Sequence, residues 1–300
     1  MKYNIILNLT TKCNYKCSYC DIHKTNEEID DSKLDEIYNF IKTNYKYIDG
    51  IKFFGGEPIL KFDIIKKIIN YSEKYIGRKF TIVTNASILN DEIGIYLYKY
   101  FDKIFFSIDS ENKFEYEKIF NFSNKHNLKK KLYFNLMINP GEENISYIQF
   151  NNLLKYGFNN FNILPVYYTK NWNKDNLINL SLNVKKIIDE SMINKSIKLY
   201  GFNENKGYNS SLINENLFID TDIKLYYSDL VSLNLGRKLK DYMFLGELNS
   251  TNLETISFDK QLLILREFEK HIVNNNDSQI QLHSIMDYFS KYINKKKDND

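Results

Sequence analysis

The chain holds three cysteines, Cys13, Cys17 and Cys20, all within eight residues. An odd number of thiols on so short a stretch cannot build a disulfide framework. Thiolates at this density select zinc or an iron–sulfur cluster. His23 lies at the right reach to be a fourth ligand, which would close a tetrahedral zinc site. The alternative is a four-iron cluster held by three protein ligands, with one iron open to chelate a small molecule through an amine and a carboxylate. On the cysteines alone both chemistries stand, and no later cysteine completes a four-thiolate site.

Three further groups could do chemistry. Gly55-Gly56-Glu57-Pro58 offers backbone that a ligand can approach closely, or a plain turn, since Gly-Gly before Pro often marks one. Thr84-Asn85 and Ser107-Ile108-Asp109 offer short polar side chains, suited to a ligand or to capping a helix.

The elements that must position these groups follow from apolar periodicity. Strands are expected at Tyr3–Leu9, Gly50–Phe54, Lys79–Thr84, Lys103–Ile108, Lys131–Asn139 and Asn160–Tyr167, alternating with helices near 32–47, 62–76, 90–101, 112–126 and 144–157. Phe62–Tyr75 carries its apolar residues on one helical face. Asp31 or Ser32 can cap the first helix, and Asn90 or Asp91 the third. Six βα repeats with short connections and right-handed crossovers predict an α/β fold, a partial (β/α)6 TIM-like barrel, over residues 1–170. The cysteines and the three polar groups then fall at the C-terminal ends of the first four strands, the face where such barrels build active sites. Residues 171–300 read as a small α+β C-terminal extension. It has a helix over 173–194, a polar stretch Gly201–Asn216, and a hairpin of Leu217–Asp220 and Ile223–Tyr227 around Thr221-Asp222. Two amphipathic helices, 257–274 and 279–294, follow. Trp172, at the junction, is expected to anchor the two domains.

Composition narrows the function classes. Forty-one basic and thirty-eight acidic residues leave a net charge of +3, too little to argue for nucleic acid. No apolar run is long enough to cross a bilayer. Met1–Leu9 has no small-residue cleavage site, so no signal peptide and a cytoplasmic location are expected.

The stretch Thr10-Thr11-Lys12-Cys13-Asn14-Tyr15-Lys16-Cys17-Ser18-Tyr19-Cys20 resembles the cluster loop of the radical S-adenosylmethionine (radical SAM) enzymes. Phe54-Gly55-Gly56-Glu57-Pro58, Thr84-Asn85 and Ser107-Ile108-Asp109 match that family's later motifs in order and in strand placement. The resemblance covers roughly residues 1–170. It implies a 4Fe-4S cluster on Cys13, Cys17 and Cys20, with S-adenosyl-L-methionine (SAM) as the second cofactor and His23 as a polar neighbour. It further implies that backbone at Gly55, Gly56, Glu57 and Pro58 binds the methionine amine, with Glu57 bracing the turn. Thr84, Asn85, Ser107 and Asp109 would lie near the sugar and methionine of SAM, and the Tyr19 backbone would meet the adenine edge. Asn135 and Ile163-Leu164-Pro165 fall where relatives line the adenine and ribose pocket. For Ile163 and Leu164 core packing is the better reading.

Leu217–Ser228, Phe244–Leu248 and Leu253–Ile256 resemble the SPASM or twitch region of peptide-modifying relatives, with Ser228 where a hairpin cysteine would stand. Every auxiliary cysteine is missing, so no thiolate-bound auxiliary cluster is expected. The reading is a radical SAM enzyme that cleaves SAM reductively and abstracts a hydrogen from a peptide or protein. Its expected partners are a flavodoxin or ferredoxin and a precursor peptide, with no nucleic acid and no membrane. A small-molecule or nucleoside substrate is the alternative within the family. A non-catalytic zinc or iron–sulfur module is the alternative outside it, and it leaves the three later motifs unexplained.

Overall fold

The computed structural model describes residues 2–110, 115–167, 172–200, 216–237, 239–256 and 277–297. Its strands are β1 (Tyr3–Asn8), β2 (Ile48–Phe54), β3 (Phe80–Thr84), β4 (Phe101–Ile108), β5 (Leu132–Ile138), β6 (Asn160–Pro165), β7 (Lys198–Tyr200), β8 (Asn216–Ile219), β9 (Lys224–Tyr226) and β10 (Phe244–Glu247). The main helices are α1 (Leu34–Asn44), α2 (Phe62–Ile76), α3 (Asp91–Tyr100), α4 (Tyr116–Lys125), α5 (Glu143–Lys155) and α6 (Lys174–Ile193), with a terminal helix at Asp277–Lys297. The six expected strands and the five helices between them are all present, within a few residues of their expected ends.

The chain forms two compact units. The first takes the described residues of Met1–Lys16, Cys20–Phe105 and Asn214–Phe268. The second takes those of Cys17–Tyr19, Phe106–Ile213 and Glu269–Asp300. In the first, the strand order is β10-β9-β8-β1-β2-β3-β4; in the second it is β4-β5-β6-β7, so β4 contributes to both. Pairing is parallel for β1 with β2, β2 with β3, β5 with β6 and β6 with β7. The order has two ends, as in an open, partial barrel.

Alternation decides which side chains enter the core. On β2, Ile51 and Phe53 are buried, as are Phe80 and Ile82 beside them on β3. Lys52 and Phe54 point to the opposite face and are half-buried. Helix α2 buries Ile64, Ile65, Ile68 and Ile69 of the expected apolar face, leaves Phe62, Tyr71 and Tyr75 half-buried, adds Ile76, and ends at Gly77 with a φ of +69°. Asn90 caps α3 by accepting from the Ile93 amide. Asp30, not Asp31 or Ser32, caps the 3-10 turn Asp31–Lys33 that leads into α1, its carboxylate accepting from the Ser32 amide, while α1 itself begins after Lys33 without a side-chain cap.

Beyond residue 171 the expected hairpin is present, β8 antiparallel to β9. It docks by pairing β8 in parallel with β1, from Asn4 with Asn216 to Leu7 with Ile219. Strand β7 and strand β10 are additions that the sequence reading lacked. The helix expected at 257–274, and most of the polar stretch Gly201–Asn216, lie outside the described residues. Trp172 is buried and donates its indole N–H to the Val166 carbonyl at 2.9 Å, within the second unit.

Candidate active site at the strand ends

The loop that follows β1 is held by backbone. In the first unit the Gly56 amide donates to the Thr10 carbonyl at 2.7 Å and the Glu57 amide to the Lys12 carbonyl at 2.9 Å. On the other side, the Thr11 amide donates to the Glu27 carbonyl. Glu28 pairs with Lys12 at 2.9 Å and with Lys61 at 3.2 Å, and hydrogen bonds from these two ammoniums hold its carboxyl below the usual range.

The two glycines are needed for this closeness. A Cβ on Gly55 would lie 2.4 Å from the Thr10 carbonyl oxygen, and one on Gly56 only 2.1 Å from that of Lys12. Gly55 also has a φ of +143°, which disfavours any side chain. These glycines therefore serve the thiol loop itself, a role the sequence reading did not assign.

Glu57 braces the turn as expected. It is 1% exposed, and its carboxylate accepts from the Ile59 amide (3.0 Å), the Thr84 hydroxyl (2.7 Å) and the Asn85 amide (2.8 Å). Burial pushes this carboxyl up, and the three donors pull it back. Thr84 also accepts from the Ala86 amide, so its hydroxyl is engaged on both sides. Ala86 adopts a φ of +59°, a left-handed conformation unusual for a residue with a side chain. Asn85 turns outward. Its amide nitrogen donates to Asn14 Oδ1 at 3.0 Å and lies 3.8 Å from Cys13 Sγ. Ser87, which the sequence reading missed, donates to Asn85 and accepts from Asn14.

The second unit holds the Cys17–Tyr19 segment and the end of β4. The Tyr19 hydroxyl donates to Asp109 Oδ2 at 2.5 Å, and Cys17 Sγ lies 3.7 Å from the same oxygen. Burial and this carboxylate push the Tyr19 phenol far up. Gln149 on α5 donates to the Asp109 carbonyl at 2.8 Å. Asp109 caps no described helix; its carboxylate is turned to the cysteine loop instead. Ser107 is half-buried on β4. Asn135 accepts from Asn162 across β5 and β6, while Ile163 is core at 3% exposure. Gln149 carried no signal in the sequence, since it lies mid-helix forty residues from Asp109.

The thiols suit a cluster. All three are half-buried and free of disulfides. Burial raises the Cys13 thiol, while the Tyr15 amide, 3.4 Å from its sulfur, favours the thiolate. Among the described residues no three His, Cys, Asp or Glu side chains converge on a point that could hold a single ion. A cluster makes no such demand, because each thiolate binds a different iron. His23 is engaged elsewhere in the first unit: its Nδ1 bonds Asn234 Oδ1 at 2.8 Å and its amide donates to the Ser232 carbonyl. Among the described residues no helix is long and apolar enough to cross a membrane.

Comparison with known proteins agrees with this geometry. The sequence profile of the radical SAM superfamily matches residues 7–134. Radical SAM cyclopropyl synthase TigE of Paramaledivibacter caminithermalis is 30% identical over 230 residues, covering 68% of this chain and 47% of the relative. The S-adenosylmethionine-dependent nucleotide dehydratase of Selenomonas ruminantium is 36% identical over 115 residues, 37% of this chain and 41% of that one. The chain thus spans less than half the length of these relatives. In fold it is similar to native anSMEcpe with bound AdoMet and Cp18Cys peptide, with a TM-score of 0.67 and 15% identity over 88% of this chain and 82% of that one. With the profile match lying on the thiol loop and the strand ends that brace it, the chain belongs to the radical SAM superfamily.

Proposed function

We propose that this chain cleaves SAM reductively and uses the product to abstract a hydrogen from a peptide or protein substrate. When bound, a 4Fe-4S cluster supplies one electron to SAM, whose carbon–sulfur bond breaks to give a 5′-deoxyadenosyl radical. The observation that carries the reading is the Glu57 carboxylate. It joins the Gly-Gly-Glu-Pro turn to Thr84-Asn85, while the turn's amides grip the loop of Cys13. Three of the sequence motifs, the Cys13 loop, the Gly-Gly-Glu-Pro turn and Thr84-Asn85, are thereby joined within the first unit rather than standing as separate turns.

In this reading Cys13, Cys17 and Cys20 hold the cluster, and Asn85 orients Cys13 by directing an N–H to its sulfur. The backbone of Gly55, Gly56, Glu57 and Pro58 receives the methionine amine of SAM. Asn85, Ser107 and Asp109 flank its sugar and methionine, and Tyr19, tied to Asp109, presents its backbone to the adenine. Thr84 works through Glu57, because its hydroxyl is already spent there. Residues 171–300 form an extension without auxiliary cluster cysteines that shapes the substrate channel. A flavodoxin or ferredoxin supplies the electron.

The peptide reading is supported by the fold it shares with anSMEcpe, solved with a peptide. A nucleotide or other small-molecule substrate is the second reading, favoured by the identity to a nucleotide dehydratase. The test is anaerobic reconstitution, expected to give a brown protein with about four irons per chain, followed by release of 5′-deoxyadenosine from SAM on reduction. A colourless protein with one zinc overturns the reading. Transfer of deuterium from a labelled precursor peptide, or from a labelled nucleotide, into 5′-deoxyadenosine decides the substrate class.

A further inference from the structure

Lys52 sits in the middle of β2, on the face opposite the buried Ile51 and Phe53. Its register partners are Ile6 on β1 and Thr81 on β3, so it projects from the inner face of the first unit's sheet. The interior of a parallel barrel is ordinarily filled with branched apolar side chains, which makes an ammonium there unusual. Among the described residues Lys52 has no hydrogen bond and no ion pair. Its one close neighbour of note is the Phe54 ring, with the ammonium 6.0 Å from the ring centroid. Asp229, in the turn Asp229–Ser232, lies near enough for each charge to act on the other, yet the two make no ion pair. Desolvation pushes the Lys52 ammonium down and the Asp229 carboxyl up, and each charge partly offsets the other's shift. Asp229 has the Ser228 hydroxyl at 3.4 Å from Oδ1. Lys52 has three donors, and among the described residues no acceptor is in contact to receive them.

A cation partly withdrawn from water inside a barrel is retained when it is paired, and among the described residues no anion is in contact with half-buried Lys52. Phe54 ends β2, and Gly55 follows it. A group held at Lys52 therefore lies only about 10 Å along the strand from the Gly-Gly-Glu-Pro turn, three residues at about 3.3 Å each.

We propose that Lys52 anchors an anionic group of the substrate, a carboxylate or a phosphate, inside the first unit's barrel wall, with the Phe54 ring as its apolar side. This rests on the radical SAM reading for the direction of the reacting end, and it adds that the substrate is acidic at a fixed distance from that end.

The test is differential acetylation of the full chain, anaerobic and carrying its cluster and SAM. Trace acetic anhydride is applied with and without inorganic phosphate, adenosine monophosphate or glutarate, and each lysine is quantified by mass spectrometry. At saturation at least one anion should slow Lys52 acetylation about fivefold, leaving the exposed Lys118 unchanged. Protection by phosphate and the nucleotide alone assigns a phosphate, and protection by glutarate alone a carboxylate. By equilibrium dialysis of the protecting anion, Lys52→Arg should retain binding and Lys52→Met should weaken it about tenfold or more. No protection by any of the three overturns the proposal, as does a folded Lys52→Met that binds like wild type. If Lys52→Met does not fold, the wild-type labelling and Lys52→Arg still decide. Iron content and visible absorbance of the same samples report the radical SAM reading separately.

Discussion

At Gly56 the space for a side chain is already taken by the Lys12 carbonyl. From sequence, Gly55 and Gly56 are expected to serve a ligand, so that valine there weakens SAM binding and spares the iron. The close approach to Thr10 and Lys12 alters that expectation, since Lys12 precedes Cys13. Gly56→Val should displace the thiol loop, destabilise the protein by about 1–3 kcal/mol as overpacking does, and lower iron content together with SAM affinity. Iron per chain and the thermal midpoint check this; normal iron with reduced SAM affinity would return the ligand-only role. Replacement of Cys13, Cys17 or Cys20 by alanine should abolish cluster absorbance and SAM cleavage, because the chain has no spare thiol. His23→Ala should keep both, since His23 bonds Asn234. Loss of all iron in His23→Ala would make it a ligand. The thiols were legible as candidates because few other side chains could hold a cluster, whereas the close packing of Gly55 and Gly56 on the thiol loop was not. Ser87 and Gln149 were not, because a polar residue gains meaning only from what it faces.

The elements were legible where the pattern is long. Helix α2 shows its stripe over four turns, and β1 to β6 are apolar runs bounded by turn residues. Strand β7 spans three residues and carries no period. The docking of the hairpin was hidden for another reason, since strand pairing depends on a partner two hundred residues away. That docking has a polar lock. Asp220, with its side chain 1% exposed, accepts from Asn8 Nδ2 at 2.7 Å and pairs with Lys240 at 3.3 Å. Arg237 stands 3.8 Å from the same carboxylate. Asp220→Ala would leave the Asn8 amide and these cations without their shared acceptor. A loss of about 3 kcal/mol is expected, measured by denaturant unfolding of the cluster-free chain. A loss below about 1 kcal/mol, the range of exposed ion pairs, would show that β8 holds to β1 by backbone and apolar contact alone.

At the scale of the molecule, the count of thiols limits how a reaction can end. If Cys13, Cys17 and Cys20 hold the cluster as proposed, none of this chain's own thiols is left to return a hydrogen atom to a substrate radical. Turnover in heavy water without added thiol is therefore expected to give oxidation, cross-linking, cleavage or rearrangement. Product analysis by mass spectrometry and chiral separation checks this. Stereoinversion with one solvent deuterium at the inverted carbon would reveal a donor other than cysteine and overturn the expectation.

By itself the sequence determined the family, the order of strands and helices through residue 167, and the positions of the chemistry-bearing groups at strand ends. Those follow from residue type and short-range periodicity, which are local properties. Tertiary structure alone decided that Glu57 joins two motifs and that Tyr19 meets Asp109. It also decided that β8 completes one side of β1, and that Lys52 projects inward with no anion in contact among the described residues. Each depends on side chains brought together from distant parts of the chain, and distance in space is what a linear pattern does not encode.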